Sequence, residues 1–161
     1  MTINFLSSTT ITQGATPVVA LQSDQFGLKQ SVIPAFAAYN ANAAASGTVV
    51  TWGAVEFDTR SNFTPANGRF TASVAGYYFF KYHQMVNYAT AGEYRAIFLL
   101  NGAGQWGRSI FYKINSSAFT TIQVEARIYL NVGDYVSVYI ESAPAAMATD
   151  QGWSMFQGYR I

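Results

Sequence analysis

Residues 76–82 read Gly-Tyr-Tyr-Phe-Phe-Lys-Tyr, and this stretch decides the fold class. Successive side chains of a β-strand point to opposite faces. The rings therefore divide into two sets, with Tyr78, Phe80 and Tyr82 on one face and Tyr77 and Phe79 on the other. Gly76, just before them, predicts a turn that needs a positive φ or a close approach. A strand that is aromatic on both faces has no solvated side, so we expect one face in a core and the other against a partner.

Two-residue alternation of apolar and polar side chains continues after this strand. It is clearest over residues 122–130, and it resumes over 135–141 after the turn-forming residues 131–134. Asn101-Gly102 is a strong hairpin signal, and a last strand is predicted over about 153–161. Short strands separated by turns at this spacing are typical of an antiparallel sandwich or jelly roll, with at most a single helical turn in its loops.

The chain changes character near residue 31. Before it, short β-leaning runs are broken by Gly14 and Pro17, and only two residues are charged. After it, residues 33–39 predict a strand that opens at Pro34, and residues 40–48 (NANAAASGT) predict a loop. We therefore divide the chain into an N-terminal extended arm, residues 1–31, and an all-β domain, residues 32–161.

The composition describes a neutral, aromatic-rich globular domain. Half of the 161 residues are hydrophobic, 16% are aromatic and only 11% are charged, against about a quarter charged in typical domains. The net charge of +1 gives no electrostatic footprint for nucleic acid or an anionic membrane. Because there is no cysteine, a disulfide framework and a thiolate zinc site are excluded. A monomer with so few charges is hard to keep soluble, which suggests burial against other chains.

Eight positions in one register resemble the aromatic signature of the C1q/TNF-like superfamily: Trp52, Asp58, Phe63, Phe70, Gly76, Tyr78, Phe80 and Tyr82. Trp52 is the one departure, since the family has Phe there. Four further segments are similar in order to the family's opening strand, central hairpin, turn and closing strand, namely residues 35–39 (AFAAY), 100–102 (LNG), 130–134 (LNVGD) and 156–159 (FQGY). The chain is identified on these residues as a C1q-like member, expected to come from a phage or a bacterium.

The resemblance implies a homotrimer in which one sheet edge packs against the neighbour's flank. The aromatic residues expected at the threefold axis or in the core are Tyr77, Tyr78, Phe79, Phe80, Tyr82, Phe156 and Tyr159. Which rings face the axis and which face the core stays open. All of them filling one intramolecular core is the simpler alternative.

No constellation for catalysis is visible, and we expect no enzyme, metal site or cofactor. His83 is the only histidine, and it is better interpreted as a sheet or interface residue than as a base or ligand. The acidic residues never form a close pair, and no acidic cluster matches a calcium loop. Residues 102–107 (GAGQWG) are interpreted as a flexible loop that offers Trp106, not as a dinucleotide-binding motif.

The N-terminal arm is suited to lie across another protein's surface. It carries scattered apolar residues, Ile3, Phe5, Leu6, Ile11, Val18, Val19 and Leu21. Folding back onto its own domain or trimer is an equal alternative. Residues 1–10 lack the basic and apolar runs of a signal peptide, and residues 32–52 are too interrupted to span a bilayer.

Two functions remain. The first is a virion structural protein made in a host cytoplasm: a trimeric head docked through its arm to a capsid or tail component, as a decoration (cement) protein or a short fibre head. The second is a free trimeric module that recognises carbohydrate or protein, such as a host surface ligand, through apical loops. Its exposed contacts would be Tyr88, Trp106 and Trp153. Membrane insertion and nucleic-acid binding are not expected.

Overall fold

The structure is a computed structural model. It describes residues 9–13, 16–21, 32–42, 45–86, 91–113, 119–144 and 152–161. The chain forms two compact units, Met1–Val32 and Ile33–Ile161. Within the described ranges, no helix is long and apolar enough to cross a membrane.

The described part of the first unit is a two-stranded antiparallel ribbon. Strand β1 (Thr9–Gln13) pairs with β2 (Thr16–Leu21), so that Ile11 lies opposite Val19, and the register shifts at the next position of β1. The prediction that Pro17 breaks the second run is wrong, because Pro17 lies inside β2 next to this shift. A ribbon edge tolerates a missing backbone N–H, which is why proline is accepted there.

The second unit is a sandwich of two antiparallel sheets. Its strands are β3 (Ala35–Asn42), β4 (Thr48–Val49), β5 (Thr51–Asp58), β6 (Phe63–Thr64), β7 (Arg69–Thr71), β8 (Gly76–Val86), β9 (Gly92–Leu100), β10 (Gly104–Lys113), β11 (Thr120–Leu130), β12 (Tyr135–Ser142) and β13 (Ser154–Arg160). One sheet has the order β10-β9-β12-β7-β6, with β4 also paired to β12, and the other has the order β11-β8-β13-β3-β5. Pro65–Asn67 forms a 3-10 turn, the one helical element among the described residues. The all-β jelly-roll prediction is confirmed.

Aromatic rings fill the space between the sheets. Phe156 lies among five of them, with centroids 4.9 Å from Phe36, 5.8 Å from Phe63 and Phe98, and 6.0 Å from Trp52 and Phe80. All six side chains are almost completely buried. The core is thus built from the rings of the aromatic register, including Trp52 in place of the expected Phe.

Strand β8 divides its side chains between core and surface as the alternation predicts. Tyr78, Phe80 and Tyr82 are completely buried, whereas Tyr77 is exposed. The hydroxyl of Tyr82 donates a hydrogen bond of 2.6 Å to Gln84 Oε1, and burial raises the pKa of this tyrosine. Gly76 has φ +152°, a conformation that favours glycine, and the Arg160 guanidinium lies where a Cβ would be, 2.6 Å from it at Nε.

Two predicted boundaries are wrong. The first strand of the domain extends to Asn42, into the predicted loop of residues 40–48, because Asn40 continues the strand with φ 56°. Asparagine tolerates this left-handed conformation better than most residues. The predicted loop of residues 102–107 is also a strand from Gly104 onward, and the turn occupies only residues 101–103.

Hydrogen bonds join the two turns at one end of the sandwich. Asp134 accepts bonds from Asn101 Nδ2 at 2.9 Å and from the Asn131 backbone N–H at 2.8 Å. Asn101 in turn accepts a bond of 3.0 Å from the backbone N–H of Tyr135. These bonds, that from Asn101 above all, hold the pKa of the Asp134 carboxyl below its usual value. Side-chain hydrogen bonds therefore hold the LNG turn and the LNVGD turn together at this end of the sandwich.

Candidate functional site

The first candidate site is the outer face, which we define as the side of strands β11, β8 and β13 that points away from the core. At its Gly76 end it carries aromatic rings in contact across the strands. The rings of Tyr77 and Tyr129 are 5.2 Å apart and edge to face, and those of Phe79 and Tyr159 are 5.5 Å apart. Tyr77 is 58% exposed and Tyr159 47%, so these rings are paired but not covered by any described residue of this unit.

The middle of the outer face is polar. Lys81 Nζ lies 3.0 Å from Glu125 Oε1 on the neighbouring strand. His83 follows on the same face and lies in register with Gln123 of β11 and Met155 of β13. Partial burial lowers the pKa of His83, and the positive charge of Lys81 lowers it further, against a hydrogen bond with the Gly152 backbone.

A second aromatic pair lies at the other end of the outer face. The rings of Phe119 and Trp153 are 6.0 Å apart at an interplanar angle of 55°, and the side chains are 50% and 40% exposed. The Trp153 carbonyl accepts a hydrogen bond from Met85, near the end of β8 opposite Gly76. The outer face therefore has aromatic rings at both ends and a polar band between them.

The second candidate site is the edge where β10 approaches β11. Gly107, with φ +56°, forms a bulge here, and a Cβ on it would lie 3.0 Å from the Glu125 carbonyl oxygen. A side chain here would be strained by the positive φ and would press on the backbone of β11, so glycine is favoured. Trp106 and Ile110 remain about half exposed along this edge, and Trp106 borders a shallow cleft of about 180 Å³ with Ile97 and Gln105. The edge thus presents apolar side chains from a strand, where a flexible loop was expected.

The structure separates the residues that were grouped as exposed loop contacts. Trp106 is the third residue after the turn at residues 101–103, whereas Trp153 lies beside Met85, near the end of β8 opposite Gly76. The two tryptophans therefore do not lie together in one cluster of loops. Tyr88 lies outside the described residues, as do Ile3, Phe5 and Leu6 of the arm. Of the remaining arm residues, Ile11 lies in β1 and Val18, Val19 and Leu21 lie in β2.

Sequence reasoning missed Phe119, Tyr129 and Ile110 as surface aromatic or apolar residues. Tyr129 had a signal, because it occupies a polar position of the alternating strand of residues 122–130. Phe119 and Ile110 had none. Among the described residues no group of three or more histidine, aspartate or glutamate side chains is placed to hold a metal ion.

Comparison with known proteins agrees with this architecture. The C1q domain family model matches residues 35–161. The globular domain of zebrafish complement 1qA is 21% identical, with a TM-score of 0.65, covering 80% of this chain and 97% of that chain. Murine APRIL at pH 5.0 is 14% identical, with a TM-score of 0.67, covering 81% of this chain and all of that chain. No curated protein matches the chain. At these identities the solved structures establish a shared fold.

Proposed function

The chain belongs to the C1q domain family, and from this premise we propose that it is a structural protein of a virus particle. In this proposal three copies form the head, and the N-terminal arm attaches the head to a capsid or tail component. The protein then acts as a capsid decoration (cement) protein or as the head of a short fibre. It works by contact alone, without catalysis.

The uncovered outer face is the observation that most strongly supports a trimer. Exposed aromatic rings in a chain with 11% charged residues are unusual on a monomer, and burying each one stabilises an assembly by about 1.5–3 kcal/mol. A threefold assembly needs two different complementary patches on each copy. The outer face supplies one, and the β10 edge with Trp106 and Ile110 supplies an apolar partner for it. This agrees with a sheet edge packing on a neighbour's flank.

Attachment through the arm is supported by the first unit. Its described part is a ribbon of two strands, and an isolated two-stranded ribbon is marginally stable in water. It therefore needs a further surface. The arm has only two charged residues, Asp24 and Lys29, which suits an apolar surface of a larger protein.

Deleting residues 1–30 is expected to leave a folded trimer that no longer binds its particle. The melting temperature should change by no more than a few degrees, because every described residue of the core cluster lies between Phe36 and Phe156. The measurement is co-sedimentation of tagged full-length and truncated protein with particles from an infected-cell lysate. Light scattering on both proteins provides the control for assembly.

If the truncated protein unfolds or becomes monomeric, the arm is part of the head. The docking proposal then loses its support. Truncated protein that still sediments with particles places the attachment site on the head instead.

A free binding module is the second candidate, and the Phe119–Trp153 pair favours it. The chain enters the second unit at Ile33 and Pro34, where Arg160 donates a backbone hydrogen bond to Pro34. Phe119 and Trp153 lie at the other end of the sandwich, away from that entry point. Two exposed rings offer a planar contact for a sugar or protein at low entropic cost.

Under this alternative, Trp153→Ala should weaken binding to a glycan or protein array by about tenfold or more. Phe119→Tyr, which keeps the ring, should retain binding. If the wild-type protein binds nothing on the arrays, or if Trp153→Ala binds as well as the wild type, this candidate is wrong.

A further inference from the structure

We propose that His83 makes assembly of the trimer sensitive to pH, so that acidification separates the copies. This inference rests on the proposed trimer and on the outer face as its interface. It assigns a regulatory role to the one histidine of the chain, which the aromatic contacts leave unused.

The position of His83 is the first reason. It lies in the polar band between two aromatic ends of the outer face, in register with Gln123 on one side and Met155 on the other. If the aromatic end beside Gly76 meets a neighbouring copy, the polar band next to it is covered as well. A covered imidazole must lose most of its remaining water, and this disfavours the charged form.

The charges that face His83 are the second reason. On its own strand the neighbouring position of the same face is Lys81, and on β11 the nearest acid is Glu125, which is paired with Lys81 at 3.0 Å. Strand β13 contributes Met155 and Gln157 to this face and no charge. The Lys81–Glu125 pair has no net charge, so these strands offer no unpaired carboxylate on this face that would stabilise a protonated His83.

The sign of the effect follows from linkage. The pKa of His83 is lowered in the folded chain, so the neutral form is the one that the structure stabilises. This lowering is already present in the separated folded chain, and covering the imidazole in the trimer lowers its pKa further. Assembly therefore favours neutral His83, and this preference is lost as the pH falls below the pKa of the separated chain. Separated chains then bind protons that the trimer excludes. With three histidines per trimer, the dissociation constant rises by at most about a thousandfold between about pH 7.5 and pH 5.5.

The test is sedimentation equilibrium of the full-length protein at these two pH values. We expect the wild type to be trimeric at the higher pH and to dissociate at least about tenfold more readily at the lower one. The His83→Gln variant keeps a polar side chain in the band and should change by less than about threefold. Far-UV circular dichroism should show the same folded spectrum at both pH values. Asp134 stays ionised throughout, because its pKa is held below the usual carboxyl value.

Each outcome has a distinct meaning. A wild-type trimer with the same dissociation constant at both pH values overturns the pH response and leaves the trimer intact. Equal pH dependence in the wild type and in His83→Gln also overturns it, because another group then titrates. A wild-type protein that is monomeric at pH 7.5 overturns the trimer and this inference together.

Discussion

Replacing Phe156 with alanine is expected to lower the free energy of unfolding by about 3–5 kcal/mol, the largest loss of stability from a single truncation in this core. Its ring is completely buried and lies within 6.0 Å of five other rings from both sheets. Removing it leaves a cavity that these rings cannot all close. The melting temperature should fall by about 10 °C. The measurement is urea denaturation at a fixed protein concentration, because assembly makes stability depend on concentration.

Phe156→Leu is the matched control, and it should cost about 1.5 kcal/mol or less because it keeps most of the volume. Both variants should keep the wild-type dependence on urea, since the surface exposed on unfolding is unchanged. If alanine costs no more than leucine, the ring cluster is not the centre of the core. An unfolded Phe156→Leu protein would show instead that ring shape, and not volume, determines folding.

The core could be predicted from the sequence because alternation and aromatic spacing report directly on burial. Tyr78, Phe80 and Tyr82 lie inside because they share one strand face, and that face is defined by the two-residue period alone. The same alternation predicts that Tyr77 and Phe79 share the opposite face of the strand. The hydrogen bond between Asn101 and Asp134 could not be predicted from the sequence, because it joins turns separated by 33 positions.

The edge around Trp106 could not be predicted for a different physical reason. Glycine-rich sequence favours a loop, and three glycines lie within residues 102–107. In the structure Gly102 forms the turn with φ +79°, and Gly107 permits a bulge beside β11 with φ +56°. Each of these two glycines thus adopts a backbone conformation that the hairpin needs at that position. Only the position of β11, which belongs to the other sheet, reveals why the second one is needed.

The exposed contacts illustrate the same limit. The sequence predicts Trp106 and Trp153 alike as surface residues, and both are exposed. Their separation to opposite ends of the sandwich depends on strand directions that no local pattern encodes. Phe119 becomes a candidate contact residue only because its ring lies next to that of Trp153 at the end of β8. The sequence therefore identifies single aromatic residues, but only the fold shows which of them are in contact.

The double variant Tyr77→Lys/Tyr159→Lys is expected to convert the protein from a trimer to a monomer. Both side chains are exposed in the single chain, so the lysine ammonium groups can remain in water and the sandwich should fold normally. In the assembly the same groups would place six unpaired positive charges in a covered aromatic surface. Burying an unpaired charge costs several kcal/mol, more than the contacts of one ring supply. Light scattering should then report 17.6 kDa in place of three times that mass.

Val132→Lys is the control for this variant. Val132 is 67% exposed in the turn at residues 131–134, outside the outer face, so a lysine there should leave the trimer intact. Equal circular dichroism spectra for all three proteins would show that only assembly has changed. A double variant that remains trimeric means that the outer face is not the interface, and the aromatic rings would then have to be covered by a different partner. Dissociation of Val132→Lys as well would mean that added charge, and not its position, disrupts the assembly.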